Sequence, residues 1–227
     1  MLDVLFEDNH CLAVNKPAGL LAQGDVTGER TVLDEARDYL RVKYAKPGNV
    51  FLGLVHRLDR PTSGVLLLTK TSKGASRLSE QFRGGLVEKV YWAIVEGRCS
   101  GDEGEWADTL LKDESRNTVD VVEEGTPGGR SALLAYRVLG RSGSTTWIEL
   151  KPKTGRGHQL RIQLASRGLS IVGDKKYGAK TGLLALDGKP RVALHAVSIT
   201  FSHPTRREAI SVSAPVPRDW PSTFPGK

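Results

Sequence analysis

The chain has 227 residues, 39% hydrophobic and 26% charged, which supports a packed core and excludes both a disordered chain and an array of small modules. Its 33 basic and 26 acidic side chains give a net charge of +7, a field suited to a polyanionic partner. Cys11 and Cys99 are too few for a disulfide framework and lack metal-ligand spacing.

The N-terminus has no basic, then apolar, signal-peptide pattern, and no run reaches the roughly 20 apolar residues of a membrane helix. These features point to a reduced, cytoplasmic protein with no membrane partner. In chain order, residues 2–15 predict two short strands, Val4–Phe6 and Cys11–Asn15, joined by the polar turn Glu7-Asp8-Asn9-His10. The segment Lys16–Gly19 breaks the pattern. Leu33, Ala36 and Leu40 predict a helix that Thr31 and Asp34 start with a capping box and Lys46-Pro47-Gly48 ends. Val65–Thr69 predicts a buried strand. Ala75, Leu78 and Phe82 predict a helix over Ser72–Phe82, closed by Gly84-Gly85. Tyr91–Val95 predicts a strand ending at Gly97.

Residues 100–130, rich in charge and glycine, predict an irregular link between two halves. Beyond it, strands are expected at Ala132–Val138 and Thr145–Leu150, and a helix from about His158 to Ser166 that places His158 and Arg161 on one face. Strands near Val192–Phe201 and Ile210–Val212 and an extended Pro-rich end follow. Strands alternating with single helices predict a mixed α/β or α+β architecture.

Three stretches can carry chemistry. Val55–Lys70 places Asp59 between Arg57 and Arg60 on a loop before a buried strand, and flanking cations favour the ionised carboxylate that a nucleophile requires. Taken alone, the same pattern also describes a surface ion pair that steadies a turn. One carboxylate without a partner argues against a glycosidase, which uses two, and suits a sugar whose leaving group is a nucleobase. In Glu88–Gly97, Tyr91 and Trp92 point to opposite faces of a strand, so one faces the core and the other can stack on a base or serve in proton transfer. Both can also be sheet-packing aromatics. In Leu150–Gly168, Gly155 and Gly157 turn the chain into a helix opened by His158 and Gln159. There Lys151, Lys153, Arg156, Arg161 and Arg167 form a basic concentration for phosphates or a carboxylate, or simply a solvated face. Five histidines without paired spacing give no metal site, and Gly173–Gly178 lacks the context of a phosphate loop.

The motifs HRLDRPTSGVLLLTK, EKVYWAIVEG, KTGRGHQLRIQLA, IVGDKKYG and LHAVSITFSHP, in this order, resemble the RluA family of pseudouridine synthases over nearly the whole chain. The resemblance implies an α+β fold: a mixed, largely antiparallel sheet in two halves with flanking helices and a central RNA cleft. It implies a single catalytic domain over 1–227, without the extra N-terminal RNA-binding domain of many relatives. The implied reaction isomerises a uridine in rRNA or tRNA to pseudouridine without cofactor or metal. By the resemblance Asp59 is the nucleophile, Tyr91 stacks on the flipped uracil, and Arg161 pairs with Asp59. Arg57 inserts where the uridine has left, and His56, Arg156 and His158 are expected to contact RNA. Gly157 departs from the Thr, Ser or larger residue usual in the family and predicts a looser start to the helix. Nothing demands a dimer, so a monomer is expected. The competing readings are a catalytically idle RNA-binding module of the same fold and a nucleoside or sugar hydrolase.

Overall fold

The structure is a computed structural model that describes residues 2–25, 28–45, 47–185 and 187–221. Its elements are β1 (Val4–Glu7), β2 (Cys11–Lys16), α1 (Val32–Lys43), β3 (Gly53–Leu54), β4 (Ser63–Thr69), α2 (Ser72–Arg83), β5 (Glu88–Glu96), β6 (Glu103–Asp113), β7 (Thr118–Val122) and β8 (Arg130–Ser142). Then come β9 (Thr145–Pro152), α3 (Gln159–Ala165), a single 3-10 turn (Lys175–Tyr177), β10 (Leu183–Leu184), β11 (Pro190–Arg191), β12 (Leu194–Ser202) and β13 (Ala209–Ser213). The architecture is α+β, and the sheet pairings are antiparallel between β1 and β2, β2 and β4, β5 and β9, β8 and β9, β6 and β8, and β6 and β7. The chain forms two compact units, one running to Lys89 and resuming over Ala196–Pro215, the other spanning Val90–His195 and the segment from Val216.

In the first unit β2 pairs with β4 in the register Cys11↔Thr69 to Lys16↔Gly64, and β12 pairs with β13. Cys11, Ala13, Val65 and Leu67 meet Leu78 of α2 and Ile199, Phe201 and Val212 in one core. Helix α1 starts as expected: the Thr31 hydroxyl accepts the Asp34 N–H at 3.3 Å and the Asp34 carboxylate accepts the Thr31 N–H at 3.1 Å. Its buried stripe is Val32, Ala36 and Leu40, a strict i, i+4, i+8 row that replaces the expected Leu33 with Val32. The helix stops at Lys43, and Lys46, expected to share in ending it, lies outside the described residues.

In the second unit the strand order is β5-β9-β8-β6-β7, and Ala93, Val95, Leu134, Ile148 and Leu150 pack with Leu160 and Leu164 of α3. Residues 100–130 are not an irregular link. They hold β6 and β7 and the start of β8, all within this unit. Most of β6 is exposed or half-exposed, so the strand carries no apolar alternation; besides its backbone ladder it is held by Trp106, stacked on Tyr136, and by Asp108, which accepts from Gln163 and Arg167. The Pro-rich end is irregular through Pro221, and the chain beyond it lies outside the described residues.

Candidate active site

Asp59 sits on the loop between β3 and β4. Leu58 anchors this loop in the core, Arg57 and Arg60 are exposed, and Asp59 is half-buried. The Asp59 carbonyl accepts the Thr62 N–H at 3.0 Å, which closes a tight turn just ahead of β4. Gly64 then enters the strand at φ +109°, where an added Cβ would stand 2.1 Å from the Ala196 carbonyl oxygen. Only glycine permits that approach.

The loop is fastened from the side by residues 16–19. Lys16 is 0% exposed, and its ammonium donates to the carbonyls of Leu20 at 2.7 Å, Pro17 at 3.0 Å and Arg60 at 3.1 Å. The Arg60 carbonyl also takes the Gly19 N–H at 2.8 Å. The Arg60 guanidinium, expected to flank Asp59, turns instead to the Gly19 carbonyl and to both oxygens of Glu29, at 3.0 and 2.7 Å. A bidentate carboxylate matches the guanidinium fork, which explains the preference. The sequence stops short of Lys16's role because its partner lies 44 residues away.

His56, expected to contact RNA, also has a structural task. Its Nε2 accepts the Leu67 N–H at 2.9 Å and its ring stacks on Phe82 at 4.8 Å. Burial, aided by the charge of Lys89, pushes its pKa down to about 3, so it is a neutral acceptor that ties the loop to β4.

In the second unit, the loop before α3 is organised by Gln159. Its Oε1 accepts from the Thr154 hydroxyl at 2.8 Å and the Arg156 N–H at 3.0 Å, and its Nε2 donates to the Leu133 carbonyl at 3.2 Å. Gly157 has open space where a Cβ would stand, so the start of the helix is defined by Gln159. Arg156 is exposed, with its Nε on the Ser131 carbonyl. The helix begins one residue later than expected: His158 is its N-cap in the left-handed region, φ 52°, and so does not share a helical face with Arg161. The His158 Nδ1 lies 2.7 Å from the Tyr177 hydroxyl.

Arg161 is 5% exposed and Asp174 1%. The Arg161 Nε and Nη2 donate to the two Asp174 oxygens at 2.6 and 2.7 Å, and its guanidinium lies over the Tyr177 ring at 4.8 Å. Asp174 lies in the quoted IVGDKKYG motif, but nothing in the spacing signals that it pairs with Arg161. On β5, Tyr91 and Trp92 are both half-buried against the core of this unit, and the Trp92 Nε1 donates to Glu149 at 3.3 Å. The expected split, one ring inward and one elsewhere, is thus softened to two rings at the core margin.

Among the described residues one cluster has metal-ligand atoms close together: Asp8, Cys11 and His203. Its chemistry is that of a structural tie. One Asp8 oxygen accepts the His10 and Cys11 N–H groups, the other receives His203 Nε2 at 2.6 Å, and burial pushes the Cys11 thiol up to about 12.

The RNA pseudouridylate synthase family model matches residues 10–166, a span containing Asp59, Tyr91 and Arg161. Among curated relatives, the ribosomal large subunit pseudouridine synthase C of Vibrio parahaemolyticus is 36% identical over 94% of this chain, which spans 65% of that relative's length. The dual-specificity RNA pseudouridine synthase RluA of Pasteurella multocida is 38% identical, covering 94% of this chain and 93% of its own. Among solved structures, human RNA Pseudouridylate Synthase Domain Containing 4 superposes with a TM-score of 0.78 at 25% identity, over 95% of this chain and 89% of that one. The motif order, the α+β fold and these likenesses agree: the chain belongs to the RluA family of RNA pseudouridine synthases.

Proposed function

We propose that this chain isomerises uridine within RNA to pseudouridine, with Asp59 as the nucleophile. The observation that carries the reading is that the matched family span contains Asp59 on a loop fastened on both sides. In the reaction the N1–C1′ bond breaks, the uracil turns, a C5–C1′ bond forms and C5 gives up its proton. Product and substrate have the same atoms and oxidation state, so no cofactor or metal is needed to balance it. The Asp59 carboxylate meets the sugar as N1 leaves and is released as C5 bonds to C1′. Tyr91 stacks on the extruded uracil and Arg161 pairs with Asp59, keeping it anionic. Extruding a base costs about a few kcal/mol, which a side chain filling the gap offsets; Arg57 is exposed and takes that part. Arg156 and His158 meet the RNA backbone.

The likeness to ribosomal large subunit pseudouridine synthases supports ribosomal RNA as the substrate, and tRNA is the other candidate. Among the described residues no helix is long and apolar enough to cross a membrane. A cytoplasmic monomer is part of the proposal. The test is tritium release from rRNA and tRNA labelled at uracil C5. Wild-type protein is expected to release tritium, and Asp59→Ala to bind RNA without release. Turnover by pure Asp59→Ala would overturn the assignment of the nucleophile, and tight RNA binding by wild type with no release from any pool would favour the idle module.

A further inference from the structure

The segment Gly173–Gly178 has no part in the proposed reaction, yet its geometry is strongly determined. Gly173 has φ +84°, and a Cβ there would stand 1.9 Å from the Arg191 carbonyl oxygen, so the backbone passes where no side chain fits. The Asp174 N–H bonds to the Ile171 carbonyl, and the Asp174 carbonyl receives the Tyr177 and Ala179 N–H groups. This turn delivers two groups to Arg161: the Asp174 carboxylate at one edge of the guanidinium and the Tyr177 ring at its face.

We propose that Asp174 and Tyr177 are positioning residues for the reaction and act through Arg161. This inference rests on the uridine isomerase reading. A guanidinium on a flexible stem has many orientations, and a bidentate carboxylate with a stacked ring fixes both its plane and its direction. Two of the five Arg161 donors are committed to Asp174, so the pair sets where the remaining charge is presented. Tyr177 also couples this group to His158. Its hydroxyl accepts the Val119 N–H at 3.0 Å and shares a hydrogen bond with the His158 Nδ1 at 2.7 Å.

Asp174→Asn keeps the shape and removes the charge. It is expected to lower kcat for tritium release by about 100-fold, with the RNA Kd held within about threefold. In an Arg161→Lys background, where the fork is already lost, Asp174→Asn should change kcat by less than about threefold. A merely structural Asp174 would lower activity equally in both backgrounds, and that result, or wild-type kcat in the single variant, overturns the proposal. If Asp174→Asn fails to fold, Tyr177→Phe and Tyr177→Leu replace it. The leucine variant should lose about 10-fold more kcat than the phenylalanine variant, and equal losses overturn the role of the ring. Absence of release by wild type would overturn the isomerase reading alone. The clamp then stands or falls by the NMR signal of the Arg161 Nε–H, expected to exchange slowly in wild type and to lose that protection in Asp174→Asn.

Discussion

Lys16 does its work by giving up contact with solvent, and His56 by accepting a backbone hydrogen bond. A buried ammonium is tolerable only when its protons are met, and three carbonyls meet those of Lys16. His56 is held neutral as an acceptor, and this has a consequence for acid stability. Its folded pKa is depressed to about 3 from 6.5, so below pH 6.5 the unfolded chain binds a proton that the folded chain refuses. Stability from this group is complete above pH 6.5 and is lost as pH falls, at about 1 kcal/mol per pH unit. Glu7 adds a loss in the same direction only below 4.5: burial opposes its charge, but hydrogen bonds from Lys43 and Lys70 hold it at about 2. Urea midpoints between pH 4.5 and 6.5 should therefore fall less steeply for His56→Gln than for wild type, and parallel slopes would refute the neutral-acceptor role. None of this is visible in the motif, where nothing beside His56 announces its Leu67 partner.

Among the elements, the strand that follows the Asp59 loop is the most exacting. Gly64 has both a positive φ and a backbone neighbour inside van der Waals distance, so Gly64→Ala must shift β4 against Ala196. A loss of about 3 kcal/mol or more is expected in thermal or denaturant unfolding, whereas Gly157→Ser, set in open space, should change stability by less than about 0.5 kcal/mol. The helices and buried strands were readable because their apolar residues follow the period of the element and their caps are local. The Thr31–Asp34 box and the run Val65–Thr69 show this. Strands β6 and β7 were unreadable because the ladder that makes them leaves most of their side chains exposed or half-exposed, with no apolar alternation. The site divides along the same line. Asp59 and Arg161 stand in recognisable words, while Asp174 and Gln159 take their roles from partners that no periodicity announces.

At the scale of the molecule, charge is unevenly shared. Residues 102–124 hold nine acidic and two basic side chains, a net −7, which leaves +14 on the rest of the chain. RNA is therefore expected to avoid the exposed acidic side chains of β6 and of residues 123–124, with an affinity that falls steeply and linearly in log Kd against log salt. Glu123→Gln with Glu124→Gln, both exposed, should leave the RNA Kd unchanged or tighter in a filter-binding titration. A tenfold weakening would place RNA on this hairpin.

The path of the chain through its two units also dictates an order of events during synthesis. The core of the first unit joins Cys11, Ala13, Val65 and Leu78 to Ile199, Phe201 and Val212. The loop that carries Asp59 is thus translated early, yet the core beneath it cannot close until residues near 212 have left the ribosome. Strands β6 to β9, by contrast, pair with neighbours close in sequence and lie wholly between those two parts, so they can assemble while the first unit is still waiting for its last strands. A nascent chain stalled short of Ile199 would expose Leu67 and Leu78, and for that interval it is a client for chaperones.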